Sequence, residues 1–590
     1  MKKRIVSIIL AVTLSFSLAA CSSAEQGTTS TSSQTNKTSN ARTASEPSQQ
    51  GNSGKDSVSD YINQIFQNGG ESKTAEATAE AEYPADMQCY EACDEALYGN
   101  VASCAPNEMF IEWNTEEYNY FQENQWTSVL TNAFSTFAAD VDTASYANVR
   151  RMLTRNQTVP VDAVRIEEMI NYFHYEYPQP NAGEPFSVTT EMAPCPWNEN
   201  AKLLMVGIAA PQLDTSERAN SNLVFLIDVS GSMDGEDRLG LVQRSFKLLC
   251  EELRPGDRVS IVTYASGDRV VLEGATGDEK SRITDAIEDL FASGGTNGSA
   301  GIQTAYDIAQ KYYIEGGNNR VILATDGDLN IGITDEGSLT RLIQEKAKSG
   351  VYLSVLGFGW GNLSDARMEA LADHGNGNYS YIDSIAEARK VLIEEMGSTL
   401  FTVAKDVKLQ VEFNPDMVKG YRLIGYENRV MAAQDFADDT KDGGEIGAGH
   451  QVTALYEIAL KDSAQEIPEV ESRYGGKIYG GANIGSDTST RGNLSEEYLT
   501  VNVRYKEPDG DTSKLLVYPV TASSYHEQMS DNLSWAAGVA QAGMLLKKSE
   551  YAGTSELKAV ISRMRELSCA KNDEYRQEFL YLFGRANVED

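Results

Sequence analysis

The chain has 590 residues, and its 86 acidic and 50 basic side chains give a formal net charge of −36. This length is enough for several domains. The strongly negative charge argues against nucleic acid and anionic lipid headgroups as partners.

The first residues have the pattern of a bacterial lipoprotein signal peptide, which we assign to residues 1–20. The basic segment KKR precedes an apolar stretch over residues 5–18 that is too short to span a membrane. The motif LAAC resembles a lipobox and predicts that Cys21 is lipidated and becomes the mature N-terminus. We therefore expect the chain to be lipid-anchored to the bacterial cell membrane, outside the cytoplasm, with this lipid as its only membrane contact.

Residues 21–105 are predicted to form a disordered tether. Serine, threonine, glutamine, asparagine and glycine dominate its first part, which has too few apolar residues to form a core. Besides Cys21, six cysteines leave many pairings open. Cys250 lies on the apolar face of a predicted helix and is expected to be a buried free thiol. A local disulfide is an alternative within the cluster Cys89, Cys93 and Cys104. The six are Cys89, Cys93, Cys104, Cys195, Cys250 and Cys569.

An N-terminal helical and strand region is expected over residues 106–220. Between Phe137 and Phe173 the pattern predicts two amphipathic helices, the second beginning at Pro160. The segments FSVTTEMAP and AKLLMVGIAA predict a pair of strands.

Residues 221–400 alternate between strand and helix patterns, which predicts a doubly wound, Rossmann-like α/β domain with a parallel sheet covered on both faces. The strands are predicted at LVFLIDV, DRVSIVTYA, VVLEG, RVILAT, VYLSVLGF and NYSYID. The first helix has apolar residues at helical spacing, which we assign to the core. They are Leu239, Val242, Phe246, Leu249 and Leu253.

Five polar residues follow these strands and are candidate ligands of one divalent metal ion: Asp228, Ser230, Ser232, Thr296 and Asp326. Open α/β sheets bind ligands at the carboxyl ends of their strands. Magnesium is held by a few oxygen ligands and keeps several waters. Only two of the five side chains are charged, so the ion would stay net positive and an acidic group from outside would complete its coordination.

These motifs resemble the von Willebrand factor type A (VWA) domain, whose metal-ion-dependent adhesion motif is matched at all five positions. The segments VDTASYANVRRML, APCPWN and EIGAGHQVTALYEI extend the resemblance to bacterial VWA lipoproteins of the YfbK type, over roughly residues 130–590. The resemblance implies that the five residues bind magnesium, with manganese or calcium as alternatives. It also implies a protein ligand that donates an Asp or Glu carboxylate, and a helix, about Ile385–Leu400, that moves when the ligand binds.

The remaining chain divides into a β-rich domain, residues 401–525, and a C-terminal helical region, residues 526–590. Alternating segments such as KDVKLQVEFNP and YLTVNVRYK predict antiparallel strands. Because strands occur on both sides of the α/β domain, we expect that domain to be inserted in, or flanked by, one β-sandwich. The C-terminal segments predict a packed helical cap.

The sequence favours a binding protein over an enzyme. No serine-hydrolase or phosphate-binding motif is complete. The four histidines, which belong to no recognised motif, are expected to be surface or core residues: His174, His374, His450 and His526. Two alternatives remain: an envelope assembly or scaffold protein with a structural metal, and a metal-dependent hydrolase that uses Asp328 as the extra carboxylate.

Overall fold

The structure is a computed structural model and describes residues 115–139, 142–212, 218–295, 299–327, 336–395, 401–441, 443–468, 496–508 and 510–586. The predictions for residues 1–105, including Cys21, Cys89, Cys93 and Cys104, lie outside these ranges, as do Thr296 and Asp328. Within the described ranges, no helix has the length and apolar character needed to cross a membrane.

The strands, in chain order, are β1 Thr127–Ser128, β2 Phe134–Ala138, β3 Ser187–Pro194, β4 Lys202–Ala209, β5 Ser221–Asp228, β6 Arg258–Tyr264, β7 Asp268–Thr276, β8 Asn318–Thr325, β9 Tyr352–Phe358, β10 Tyr379–Ile382, β11 Thr402–Phe413, β12 Val418–Ile424, β13 Val430–Met431, β14 Gly444–Gly447, β15 Gln451–Leu460, β16 Glu497–Lys506 and β17 Lys514–Thr521. The α-helices are α1 Ala144–Thr154, α2 Ile166–Asn171, α3 Leu239–Glu251, α4 Lys280–Glu288, α5 Ser299–Lys311, α6 Glu336–Ala347, α7 Asp365–His374, α8 Ile385–Arg389, α9 Asp531–Leu546, α10 Leu557–Met564 and α11 Glu574–Phe583.

The central sheet has the strand order β10-β9-β8-β5-β6-β7. Its strands are parallel except β7, which pairs antiparallel with β6. The prediction that β7 belongs to a parallel sheet was wrong, because the connection over residues 265–267 is too short for a crossover and forms a hairpin. The doubly wound α/β prediction is otherwise confirmed, and the strand order reverses between β5 and β8.

Successive side chains of β5 enter two different cores, one on each face of the central sheet. Leu223, Phe225 and Ile227 pack with α3, α4 and α8. Val224 and Leu226 face the opposite side and pack with α5, α6 and α7. All five predicted core residues are buried, although the last of them, Leu253, lies two residues beyond the end of α3.

The remaining strands form two antiparallel sheets. One has the order β1-β12-β15-β4-β3; the other has the order β13-β2-β11-β16-β17, with β14 also paired to β11. The sheets share one core, in which the rings of Phe413 and Tyr421 stack with centroids 4.1 Å apart. Since β3 and β4 precede the central sheet and β11 follows it, the α/β domain is inserted in a β-sandwich.

Helices cover the outer face of the β4-containing sheet. Trp535 of α9 and Phe579 of α11 share a core with Met205 and Leu455 of the sheet, so the apolar faces of these helices are packed inside the protein. Helix α2 begins later than predicted. Pro160 precedes a 3-10 turn, and the extended backbone of Val164 and Arg165 separates that turn from the helix.

Cysteine and histidine side chains fit structural roles in the described regions. Cys195, Cys250 and Cys569 are free thiols, and Cys250 is buried as predicted. His526 is exposed, whereas burial lowers the pKa of His450 to about 4.

Candidate metal centre

Asp228 and Asp326 lie at the carboxyl ends of two neighbouring parallel strands. Every residue of β5 and β8 is buried. The strand register pairs Ile227 with Ala324, which places Asp228 beside Thr325 and Asp326 one residue further along. Both aspartates are fully buried at 0% exposure. Both aspartates therefore lie at the point where the strand order reverses. Open α/β sheets form binding crevices at this point.

The segment after β5 folds back over its own carboxylate. The backbone N–H of Ser230 donates to Oδ1 of Asp228 over 2.9 Å. The hydroxyl oxygens of Ser230 and Ser232 lie 3.0 Å apart. The chain then forms a 3-10 turn whose Met233 side chain is buried in the core. The Asp-x-Ser-x-Ser spacing thus gathers one carboxylate and two hydroxyls.

The carboxylate of Asp228 is in an unfavourable electrostatic environment. Burial, together with the charge of Asp326, raises the pKa of Asp228 to about 6, although the hydrogen bond from Ser230 opposes this shift. The Thr325 hydroxyl donates to Oδ2 over 3.3 Å. Two buried like charges within electrostatic reach destabilise each other, and a cation between them would offset that cost.

The loop that leads to Thr296 is attached to the same edge of the sheet. The N–H of Gly231 donates to the carbonyl oxygen of Gly294 over 3.0 Å, and the N–H of Ser293 donates to that of Val229 over 2.7 Å. The described part of this loop ends at Gly295, whose N–H donates to the Ser266 hydroxyl. The assignment of Thr296 as a ligand stays a prediction.

Three residues at this edge were not predicted from the sequence: Tyr264, Arg238 and Trp360. Tyr264 ends β6 directly opposite Asp228, and burial and the charge of Asp228 raise its pKa. The guanidinium of Arg238 joins the serine loop to the next loop, donating to the carbonyl oxygens of Ser232 over 2.9 Å and Trp360 over 2.7 Å. Of the three, only Tyr264 had a sequence signal, since it is the last residue but one of the predicted strand DRVSIVTYA.

The gathered side chains fit a hard divalent ion. In the described ranges, no cluster of three or more His, Cys, Asp or Glu side chains could bind a metal. The donors at this edge are instead carboxylates and hydroxyls, the oxygen ligands that magnesium, manganese and calcium prefer. Asp228, Ser230, Ser232 and Asp326 are the described residues that would hold such an ion, and its charge would compensate the two buried carboxylates.

Three family models match the chain. The model of the von Willebrand factor type A domain matches residues 223–328, a von Willebrand factor model matches residues 112–205, and the model of the C-terminal part of the uncharacterized protein YfbK matches residues 398–588.

Individual proteins are similar over longer stretches. The uncharacterized protein YfbK of Escherichia coli K12 is 41% identical over 480 residues, which cover 80% of this chain and 81% of that protein. The uncharacterized protein sll0103 of Synechocystis is 28% identical over 295 residues, 48% of this chain and 68% of its own. A solved von Willebrand factor type A structure from Catenulispora acidiphila, 15% identical, covers 69% of this chain and 91% of its own with a TM-score of 0.38.

The fold and the matching models define a VWA protein, a class that often mediates protein–protein interactions. Within that class the chain belongs to the family of Escherichia coli YfbK.

Proposed function

We propose that the chain is a non-enzymatic surface protein that binds a protein ligand through its VWA domain, with a divalent ion bridging to an Asp or Glu of the ligand. The observation that carries this proposal is the pair of fully buried carboxylates, Asp228 and Asp326. They lie beside two serine hydroxyls, at the edge of the sheet where the strand order reverses. When bound, the ion supplies an open coordination position for a carboxylate. Magnesium is the proposed ion, with manganese and calcium as alternatives.

Apart from Asp228 and Asp326, the chain offers the ion only neutral hydroxyl ligands at the described part of this site. Serine hydroxyls are neutral ligands, and Asp228 also accepts hydrogen bonds from Ser230 and Thr325. A carboxylate from a partner therefore gains more at this site than a neutral group does.

Thermal unfolding with magnesium and with EDTA tests the metal centre. Magnesium at about 100 times its dissociation constant stabilises the native state by about 2.7 kcal/mol. We expect magnesium to raise the melting temperature of the wild-type chain and to leave that of Asp228→Ala unchanged.

Binding to immobilised peptides that carry Asp or Glu should likewise require both magnesium and Asp228. Ligand binding that survives EDTA would instead favour the scaffold alternative, and turnover of an ester that is lost in Asp328→Ala would favour a hydrolase.

We further propose that Cys21 carries a lipid that anchors the protein outside the cytoplasm. This proposal rests on the signal pattern and the LAAC motif. Cys21→Ser should move the protein from the membrane fraction to the soluble fraction. An unchanged membrane fraction would exclude Cys21 as the anchor.

A further inference from the structure

A basic and aromatic surface lies next to the candidate metal centre. It consists of Arg155, Arg238 and Trp360, which we call the arginine–tryptophan patch. Arg238 links the backbone of Ser232, a proposed metal ligand, to the backbone of Trp360 through the two ends of one guanidinium. Within the patch, Trp360 is therefore linked to the metal-binding loop by the single side chain of Arg238.

The region before the VWA domain holds the loop that presents Trp360. The N–H of Thr115 donates to the carbonyl oxygen of Gly361 over 2.6 Å, and the N–H of Glu117 donates to that of Leu363 over 3.0 Å. In return, the N–H of Gly361 donates to the Glu116 carboxylate over 2.9 Å. These contacts fix the loop from outside the VWA domain.

The same region supplies one residue of the patch. Arg155, at the end of α1, places its guanidinium carbon 4.6 Å from the ring centroid of Trp360. One guanidinium nitrogen lies 3.4 Å from a carboxylate oxygen of Asp237, and the Arg155 and Asp237 side chains are 37% and 41% exposed. An arginine stacked on an aromatic ring keeps its planar edge of N–H donors available, and an exposed ion pair of this kind is weak. Arg155 therefore has donors to offer to a ligand.

We propose that the arginine–tryptophan patch binds a second acidic side chain of the same protein ligand whose first carboxylate completes the metal centre. This inference rests on the proposed function. A protein with a net charge of −36 repels an acidic ligand at long range, so local guanidinium groups are needed where such a ligand docks. Arginine pairs with carboxylates in a bidentate geometry, and arginine and tryptophan are frequent energetic anchors of protein interfaces. The ligand segment therefore carries two acidic residues.

A displayed peptide library with one fixed Asp and randomised neighbours tests this proposal. The purified chain is used for selection in magnesium, and selected peptides are then synthesised for affinity measurements. We expect the peptides to share a second Asp or Glu at a constant spacing. Their affinity should fall about tenfold for Arg155→Ala and also for Trp360→Leu. Arg282→Ala is the matched control, because this arginine of α4 is 55% exposed and pairs with Glu279 three residues before it in the chain.

A peptide whose second acid is changed to its amide separates a direct contact from a structural effect. This peptide should bind the wild-type chain about tenfold more weakly than the acidic peptide does. Its affinity for Arg155→Ala should be no lower than its affinity for the wild-type chain. The proposal is overturned if Arg155→Ala and Trp360→Leu bind the selected peptides as the wild-type chain does, or if the peptides share no second acid. Binding that persists in EDTA or in Asp228→Ala overturns the proposed function itself, as does a selection that yields no magnesium-dependent peptide.

Discussion

Gly327 connects the candidate metal centre to the loop beside it. It follows Asp326 directly and adopts φ +99°, a conformation that favours glycine. A Cβ at this position would lie 2.8 Å from the backbone nitrogen of Ser364 and 3.2 Å from Cα of Leu363. Backbone atoms cannot move aside as a flexible side chain does, so a larger residue would displace Asp326.

We expect Gly327→Ala to destabilise the protein and to weaken magnesium binding. The positive φ alone costs roughly 1 kcal/mol for alanine, and the contact with the backbone of Ser364 adds to that cost. Urea unfolding measures the stability, and the magnesium-induced rise in melting temperature measures the metal site.

Gly183→Ala is the matched control for this substitution. Gly183 has φ +87°, and a Cβ added to it would have no atom within 4 Å, so its alanine variant should show the conformational cost without the loss of magnesium binding. Equal stability losses and equal magnesium responses in the two variants would contradict a role of Gly327 in positioning Asp326.

The carboxylate and hydroxyl residues of the site could be proposed from sequence because their positions depend on local patterns. Asp228, Ser230, Ser232 and Asp326 each follow a buried apolar run, and the ends of parallel strands meet at one edge of a sheet. Arg238 and Trp360 could not be found in this way. Their link depends on one guanidinium that spans two loops distant in sequence, and no periodicity records such a contact.

Three separate elements meet at the buried guanidinium of Arg150. Arg150 of α1 donates to Asp383 over 2.9 Å and to Glu387 of α8 over 2.7 Å, and it lies 3.4 Å from Glu578 of α11. Tyr172 also accepts a hydrogen bond from it over 2.7 Å. One cation thus holds the N-terminal region, the VWA domain and the C-terminal helices together.

Arg150→Met should destabilise the protein by about 3 to 5 kcal/mol, because it leaves buried carboxylates without their cation. Urea unfolding measures this loss. Arg244→Met is the control: the Arg244 and Glu236 side chains are 49% and 93% exposed at a distance of 3.6 Å, and loss of such a pair costs less than about 1 kcal/mol. A loss below that size at Arg150 would show that the cluster contributes little to stability.

The same junction should make stability depend on pH through Glu578. Burial raises the pKa of Glu578 to about 7; the charges of Asp383 and Glu387 add to the shift, and Arg150 opposes it. A carboxyl group with a raised pKa in the folded state stabilises the protein below its unfolded pKa, and this contribution is lost as the pH rises through the folded pKa. The wild-type chain should therefore lose stability between about pH 5 and about pH 8.

Glu578→Gln removes this titration while its amide oxygen still accepts from Arg150. From about pH 5 to about pH 8, the stability of the variant should rise relative to the wild type by roughly 2 to 3 kcal/mol. Urea unfolding in EDTA at both pH values checks this change and keeps metal binding out of the comparison. A constant difference between the two proteins would contradict the raised pKa.

Long, regular strands and helices could be predicted from the sequence, and short or irregular ones could not. The α/β order of the central domain and the sandwich strands follow from apolar periodicity. The two-residue strand β1 and the strand β2 were missed, although they pair with β12 and β11 of opposite sheets. Their pairing is determined by partners almost three hundred residues away, and so short a segment has no periodicity of its own.

The N-terminal region, the VWA domain, the β-sandwich and the C-terminal helices share cores and buried ion pairs instead of meeting at polar surfaces. One core contains Met169 of α2, Met205 of β4, Leu455 of β15 and Trp535 of α9. Besides Arg150, the buried guanidinium of Arg165 pairs with Glu369 of the VWA domain over 2.6 Å. Separate unfolding of the VWA domain would break these pairs and expose their charges.

Magnesium binding at the VWA edge should therefore slow amide exchange far from the metal centre. If the described regions unfold as one cooperative unit, a ligand that stabilises the native state raises the free energy of global opening for every amide that exchanges through it. We expect magnesium to slow exchange in α9 as well as in β5 and β8, and Asp228→Ala to abolish both effects. Hydrogen exchange with mass spectrometry measures them. Slowing confined to β5 and β8 would show that the VWA domain unfolds independently, in which case the ion pairs of Arg150 and Arg165 do not couple it to the rest of the chain.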